Sequence, residues 1–248
     1  MTARPHPPAL PHGSFKEVFP NVFFLTGTLA MPGPVPMRFS RNMTVIREGE
    51  RLAVVNSVRL TEDGLRELDA LGKVTDVLRI AGYHGMDDPF FKERYGAKIW
   101  AVKGQRYVSG FKLDAPHTYL TPDVELTESS ELPISGAKLY VIPSTPPEGL
   151  LLLERQGGVL ITGDCLQHWS RTDEYFSGFA KVMMRVMGFI KPHNVGPAWF
   201  KQAKPPRSAM QGILDLQFDH VLPAHGAAVN GGAKESFRPR LEAVIAKH

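Results

Sequence analysis

Three apolar runs in this chain end in residues that bind cations. The run Val159–Trp169, VLITGDCLQHW, passes through Leu160 and Ile161, turns at Gly163 and delivers Asp164 at the carboxyl end of a strand, with Cys165 and His168 just beyond. HVLPAHG ends in His225, between Ala224 and Gly226, and VTDVLRIAGYHGMDDP ends in His84, Asp87 and Asp88. Imidazoles and carboxylates brought from rigid strand ends to one point are what a metal site requires. His84, Asp87, Asp88, Asp164 and His225 are therefore the expected ligands. Glycines on both sides of His84 suit a presented ligand; a histidine hydrogen-bonded within its own loop is the plainer alternative. Asp88 precedes Pro89 at an expected helix start, where an N-cap is routine. It also stands four residues from His84, the spacing that stacks side chains on one helical face. One of Asp87 and Asp88 is expected to bind.

Two histidines with two or three aspartates suit a single divalent ion, zinc foremost and iron or manganese otherwise, and suit two thiophilic ions poorly. One ion with an open position makes water nucleophilic near neutral pH and allows attack on a carbonyl or phosphoryl centre. Asp87 and Asp164 are the expected catalytic carboxylates, with Glu148 of the PPEG loop as an alternative proton carrier; its plainer role is a solvated loop charge. Tyr83, Glu148, His168 and Trp169 are candidate pocket residues. For His168 a core-edge histidine beside Trp169 is the simpler reading, for Cys165 a small core residue. Trp199 and Phe200 suit a pocket wall and ordinary core packing equally.

A chain of 248 residues, 43% hydrophobic and 22% charged, is composed like an ordinary globular protein. The net charge of +4 is carried by scattered Lys and Arg with no basic run, so no nucleic-acid partner is expected. A single cysteine excludes an internal disulfide and a thiolate zinc cluster, and fits a reducing, cytoplasmic setting. No apolar run reaches the length of a membrane span, so no membrane partner is expected. A small-molecule substrate or ligand is.

The elements that must position these residues follow from the pattern. Residues 1–17 read as a loose arm, which takes His6 and His12 away from the site, and residues 18–248 as a single domain. A strand around NVFFL precedes a proline-rich loop, Met31–Met37. Strands Met43–Glu48 and Leu52–Val58 are joined at Gly49. Thr61 caps a helix with Leu65, Leu68 and Leu71 on one stripe, stopped by Gly72. Strand Val74–Ile80, a short helix from Asp88 to Tyr95 and strand Ala97–Val102 follow. Lys103–Ser135 is weakly patterned and expected to be peripheral. Strands resume at Ala137–Ile142, Gly149–Glu154 and Val159–Ile161. A helix from Thr172 or Asp173 to Ile190 is apolar nearly all round, which demands a core, pocket or dimer contact; core or dimer contact is the plainer reading, and a homodimer through 176–190 is one form it allows. Helices Ser208–Leu216 and Lys234–Lys247 flank strand His220–Leu222. The order predicts an α/β (α+β) four-layer αββα sandwich of two mixed sheets.

With that layout the chain resembles the metallo-β-lactamase superfamily, from about Asn21 to the last helix. The resemblance rests on LAVVNSV, on TGD at Thr162–Asp164 and on PAHG at Pro223–Gly226. It implies that Asp164 and His225 are ligands. The family's His-x-His-x-Asp-His run falls at Gly82–Asp88, which holds one histidine and two aspartates, and its Gly-His-Thr-Pro-Gly loop falls at PSTPPEG, which holds none. The resemblance therefore implies a divergent branch with a degenerate motif and a metal-dependent hydrolase acting on a small ester, lactone, thioester or phosphoester. Two alternatives follow from it: a non-enzymatic small-molecule binding protein on a decayed fold, and a non-haem iron oxidoreductase.

Overall fold

A computed structural model describes residues 6–31, 35, 37–105 and 120–247. Residues 16–55 form β-structure because apolar runs there are separated by short turns. β1 (Lys16–Phe19), β2 (Val22–Met31), β3 (Met37–Glu48) and β4 (Arg51–Val55) form an antiparallel meander. Gly49, at φ +64°, makes the tight turn between β3 and β4. The register of β2 on β3 runs unbroken from Val22 opposite Ile46 to Met31 opposite Met37.

The pattern then changes period. α1 (Glu62–Leu71) starts where the Thr61 hydroxyl accepts the Gly64 N–H and ends at Gly72. Leu65 and Leu68 are wholly buried, each stabilising by about 1.5–3 kcal/mol. β5 (Lys73–Arg79), α2 (Asp88–Tyr95) and β6 (Lys98–Val102) continue the sheet in parallel. β7 (Val124–Leu126) extends it by one more parallel strand, giving seven strands in chain order.

The second sheet holds β8 (Ala137–Ile142), β9 (Glu148–Leu153), β10 (Val159–Thr162) and β13 (His220–Pro223), in the order β13-β10-β9-β8. β9 and β10 are buried on both faces, which is why Leu150–Leu153 and Val159–Ile161 read as continuous apolar runs. Between β10 and β13 lie β11 (Leu166–Gln167), α3 (Gly178–Val186), β12 (Asn194–Val195), α4 (Pro197–Ala203) and α5 (Arg207–Asp215); α6 (Ala233–Ile245) follows β13. Leu78, Ile80, Leu151, Leu153, Ile161 and Leu222 fill the space between the sheets. Outside the first sheet, Val77 and Ile99 meet Leu65, Leu68 and Phe91 of α1 and α2. Outside the second, Leu150 and Leu160 meet Ile213, Phe237 and Leu241 of α5 and α6. The result is the αββα sandwich of two mixed sheets.

Several local expectations change. α2 is capped by Asp87, with Asp88 inside the first turn and no side-chain cap bond. The segment after Lys103, expected to be peripheral, supplies β7 and buries Leu126 and Ile134; residues 106–119, with His117, lie outside the description, as do residues 1–5 and most of the proline-rich loop. Residues preceding β1 lie along the domain: Gly13 N–H donates to Thr26 O, Thr28 Oγ1 to Pro11 O, and Thr61 N–H to His12 Nε2. The helix expected from Thr172 begins only at Gly178, because the Ser177 hydroxyl caps it by accepting the Ala180 N–H. No helix among the described residues is long and apolar enough to cross a membrane.

Candidate metal centre

Three strand ends meet at the edge shared by the two sheets. β5 leads into the loop that carries His84, β10 ends two residues before Asp164, and β13 ends two residues before His225. β10 and β13 are parallel neighbours, Thr162 opposite Pro223, so both deliver their carboxyl ends to the same side. The first sheet approaches so closely that a Cβ on Gly163 would lie 2.5 Å from the Ala81 Cβ. Glycine at that turn is what lets Asp164 and His84 share one space.

His225 Nε2 stands 3.1 Å from Asp164 Oδ1 and 3.3 Å from His84 Nε2, and His84 Nε2 is 3.5 Å from Asp164 Oδ2. All three side chains are close to buried. The other nitrogen of His225 settles its tautomer. Nδ1 lies 3.1 Å from the Ser40 carbonyl, which can only accept, so Nδ1 carries the hydrogen. With the hydrogen on Nδ1, His225 presents its Nε2 toward Asp164 and His84.

The donor set fits a divalent ion. Ligands on a tetrahedron with bonds of about 2.0–2.1 Å are about 3.3–3.4 Å apart, close to the 3.1, 3.3 and 3.5 Å found here. Two imidazoles and one carboxylate leave a fourth position open, as catalytic sites do. The Ser40 carbonyl is the outer partner that fixes the His225 ring.

The loop bearing His225 is itself fastened. Asn42 donates to the carbonyls of Pro223 and Gly226 at 2.8 and 2.6 Å, and its own N–H to Ala224 O at 2.7 Å. Gly226, at φ +93°, passes so near His168 O that a Cβ would lie 2.2 Å from it. Trp169 tilts against the His225 ring at 5.1 Å and donates its indole N–H to Ser40 Oγ.

Electrostatics separate the two carboxylates nearest the centre. Burial opposes the charge of Asp164, but the His84 imidazole and the contact with His225 outweigh it and hold its carboxyl far below the usual range. Glu148 goes the other way. It is completely buried at the head of β9, and burial, followed by the charge of Asp164, pushes its carboxyl well above the ordinary value. Its Oε1 accepts the Cys165 N–H at 2.6 Å, while Oε2 has no hydrogen-bond partner among the described residues. Of the two roles expected at this position, the solvated loop charge does not fit: Glu148 is completely buried and its carboxyl is held above the ordinary range. Tyr83 is pushed up to about 12 by burial, then by Asp164 and Glu148.

Asp87 and Asp88 do not join the three ligands. Asp87 Oδ2 accepts from Arg41 Nη2 at 2.5 Å and from the Arg59 N–H at 2.9 Å, with no exposure. Asp88 Oδ1 accepts from Ser57 Oγ at 2.7 Å, and its Oδ2 lies 3.8 Å from the buried guanidinium of Arg79. The structure does not bring either into the group formed by His84, Asp164 and His225: Asp87 is ion-paired with Arg41, and Asp88 is held by Ser57 beside Arg79. The sequence reading missed Ser40, Arg41, Asn42, Ser57 and Arg79. The polar run RFSRN inside an apolar strand was the available signal, since buried charges require partners.

His168 lies beside the centre and not in it. Its N–H donates to His225 O, its Nδ1 accepts the His193 N–H at 3.1 Å, and burial, then His193, lowers it to about 4. Cys165 is buried core, pushed up by burial and then by Glu148. Trp199 packs in the core outside the second sheet, with Phe200 partly buried against it.

No protein-family model matches the chain, and no curated protein matches it. Solved structures do. VMB-1, determined at pH 5.5, superposes with a TM-score of 0.64 at 12% identity, covering 93% of this chain and 97% of that one. The metallo-β-lactamase FIM-1 from Pseudomonas aeruginosa, in its mono-zinc form, gives 0.61 at 13% identity, covering 96% and 98%. A metallo-β-lactamase from Pontibacter korlensis gives 0.58 at 14%, covering 92% and 98%. At such identities only the architecture is shared, but it is shared end to end. Two mixed sheets face to face, helices outside and strand-end histidines and aspartate at the common edge: the chain has the fold of the metallo-β-lactamase superfamily.

Proposed function

We propose that this protein is a metal-dependent hydrolase in which His84, Asp164 and His225 hold one divalent ion, zinc first among the candidates. Its substrates are a small ester, lactone, thioester or phosphoester. The observation that carries the reading is the meeting of three lone-pair donors, from strand ends 61 to 141 residues apart in sequence, at 3.1–3.5 Å. When bound, the ion supplies a Lewis acid that polarises the carbonyl or phosphoryl oxygen and makes water acidic enough to attack near neutral pH.

The protein's own groups supply the rest. Asp164 stays ionised and balances the positive charge of the centre. The Ser40 carbonyl keeps the Nδ1 hydrogen on His225 and so keeps Nε2 available. Glu148 holds a proton beside Asp164 and is the general acid that can return it to a leaving alkoxide or thiolate. Tyr83 keeps its proton throughout the working pH range and donates toward substrate oxygen without ionising.

Metal analysis of protein purified without chelator tests the reading. One equivalent of zinc, lost in Asp164→Ala and His225→Ala, with hydrolysis of a model ester or phosphoester that disappears with it, is the expected outcome. A centre that takes up neither zinc, iron nor manganese would leave the reading without its basis and favour a ligand-binding protein. Two histidines and one carboxylate are also the donor set of non-haem iron oxygenases. That second reading requires iron, and dioxygen consumption, in the fresh protein.

A further inference from the structure

α3 carries two apolar stripes where one would suffice. Ala180 and Met184 face inward, onto Trp169, Phe39 and Phe189. Phe179, Val182, Val186 and Met187 recur at helical spacing on the outward side and are 43%, 60%, 78% and 49% exposed. Large apolar groups grouped on one exposed face mark an interaction surface.

The charge along the stretch of sequence that begins at α3 is one-sided, although Asp173 and Glu174 stand just before it. Residues 175–214 contain no Asp or Glu, and they contain Lys181, Arg185, Lys191, Lys201, Lys204 and Arg207. These forty residues therefore carry +6, and the remaining 23 basic and 25 acidic residues carry −2, which together make the net +4. All six cations except the half-buried Lys181 are exposed. Lys181 and Arg185 stand one turn apart on α3 itself, between the two stripes. A second copy meeting this face would bring cation onto cation, with no carboxylate in the segment to neutralise either. A nucleic acid would satisfy the charge and leave the apolar stripe in water.

We propose that α3 and its flanks dock on an anionic membrane surface, the outward stripe entering the headgroup–acyl boundary and Lys181 and Arg185 contacting lipid phosphates or carboxylates. A helix lying in the interface needs only a stripe of this kind and basic flanks, and does not need the length of a span. The sequence expectation of no membrane partner rested on span length alone. The docked face is close to the metal centre: α3 packs on Trp169, whose ring lies 5.1 Å from His225. The proposal stands whether or not the centre hydrolyses anything.

Flotation of the full chain with vesicles tests it, comparing phosphatidylcholine alone with phosphatidylcholine containing phosphatidylserine. The protein should float only with the serine lipid and be released by high salt. Val186→Asp, a change at an exposed position that leaves the inward stripe intact, should abolish flotation while circular dichroism and thermal midpoint stay as in the parent. Lys181→Gln with Arg185→Gln should weaken binding about five-fold per cation removed. Equal binding to neutral vesicles, or binding unaffected by Val186→Asp, overturns the proposal. So does a dimer in lipid-free buffer that Val186→Asp dissociates, which assigns the face to a second copy. Binding to double-stranded DNA that survives Val186→Asp but not the Lys181 and Arg185 changes overturns it as well.

Discussion

The seven residues from Gly82 to Asp88 serve two clusters that use the same side-chain types to opposite ends. At its start, His84 meets Asp164 and His225, and the ligand atoms of all three lie within 4.8 Å of one another. At its end, Asp87 and Asp88 are buried just as deeply, but Arg41, Arg79, Ser57 and the Arg59 N–H surround them. A buried carboxylate met by guanidinium is a structural ion pair, whereas one met by two imidazoles belongs to a donor set that a divalent ion can use. Residue type does not separate a metal ligand from a structural ion pair here. What else shares the space does.

This contrast can be broken from either side. The largest effect belongs to the structural cluster: Asp87→Ala strands the buried Arg41 guanidinium and should cost about 3–5 kcal/mol of stability, read by denaturant unfolding. Metal content per folded molecule should stay at its parent value. If Asp87→Ala instead emptied the centre at unchanged stability, Asp87 would be a ligand after all. On the other side, His225→Ala should lower zinc affinity by more than about 100-fold, roughly 2.7 kcal/mol, in a competition titration with a chromophoric chelator. Its effect on stability without metal should be smaller than that of Asp87→Ala.

Asn42→Ala sits between the two clusters. It leaves two loop carbonyls short of a donor and should destabilise by about 1–3 kcal/mol, while loosening His225 enough to raise the zinc dissociation constant. A stability loss with unaltered zinc affinity would show that the His225 loop does not depend on this clamp.

The smallest effect is a pH dependence at His168. Its folded pKa of about 4 lies below the ordinary 6.5, so the native ring stays neutral where the unfolded chain takes up a proton. Stability from this residue is complete above about pH 6.5 and is lost as pH falls toward 4. Half-burial reduces the full linkage to about 1–2 kcal/mol. Unfolding curves at both ends of that window should show the loss in the parent and its absence in His168→Gln.

The ligand-bearing strand ends were legible because local chemistry and global role coincide there. Val159–Ile161 is apolar throughout because both faces of the strand are covered, and Gly163 and Gly226 punctuate at the points of closest approach. α1 could be read to its caps for the same reason. The region after Lys103 could not, because a three-residue edge strand lacks the length to show a period. α3 misled at its start: Thr172 and Asp173 have the chemistry of a cap, but Ser177 performs it. The burial of Glu148 could not be read from PPEG, since proline and glycine neighbours suggest an exposed turn, whereas the residue opens β9 with no exposure.

By itself the sequence determined which strands end in imidazole or carboxylate, and that these strands would layer into two sheets with helices outside, because periodicity and burial follow from the order of apolar residues. Which of the five candidate residues share one space was decided only by tertiary structure. Arg41 and Arg79 reach Asp87 and Asp88 from strands 46 and nine residues away, and no local pattern records which acid an arginine will find.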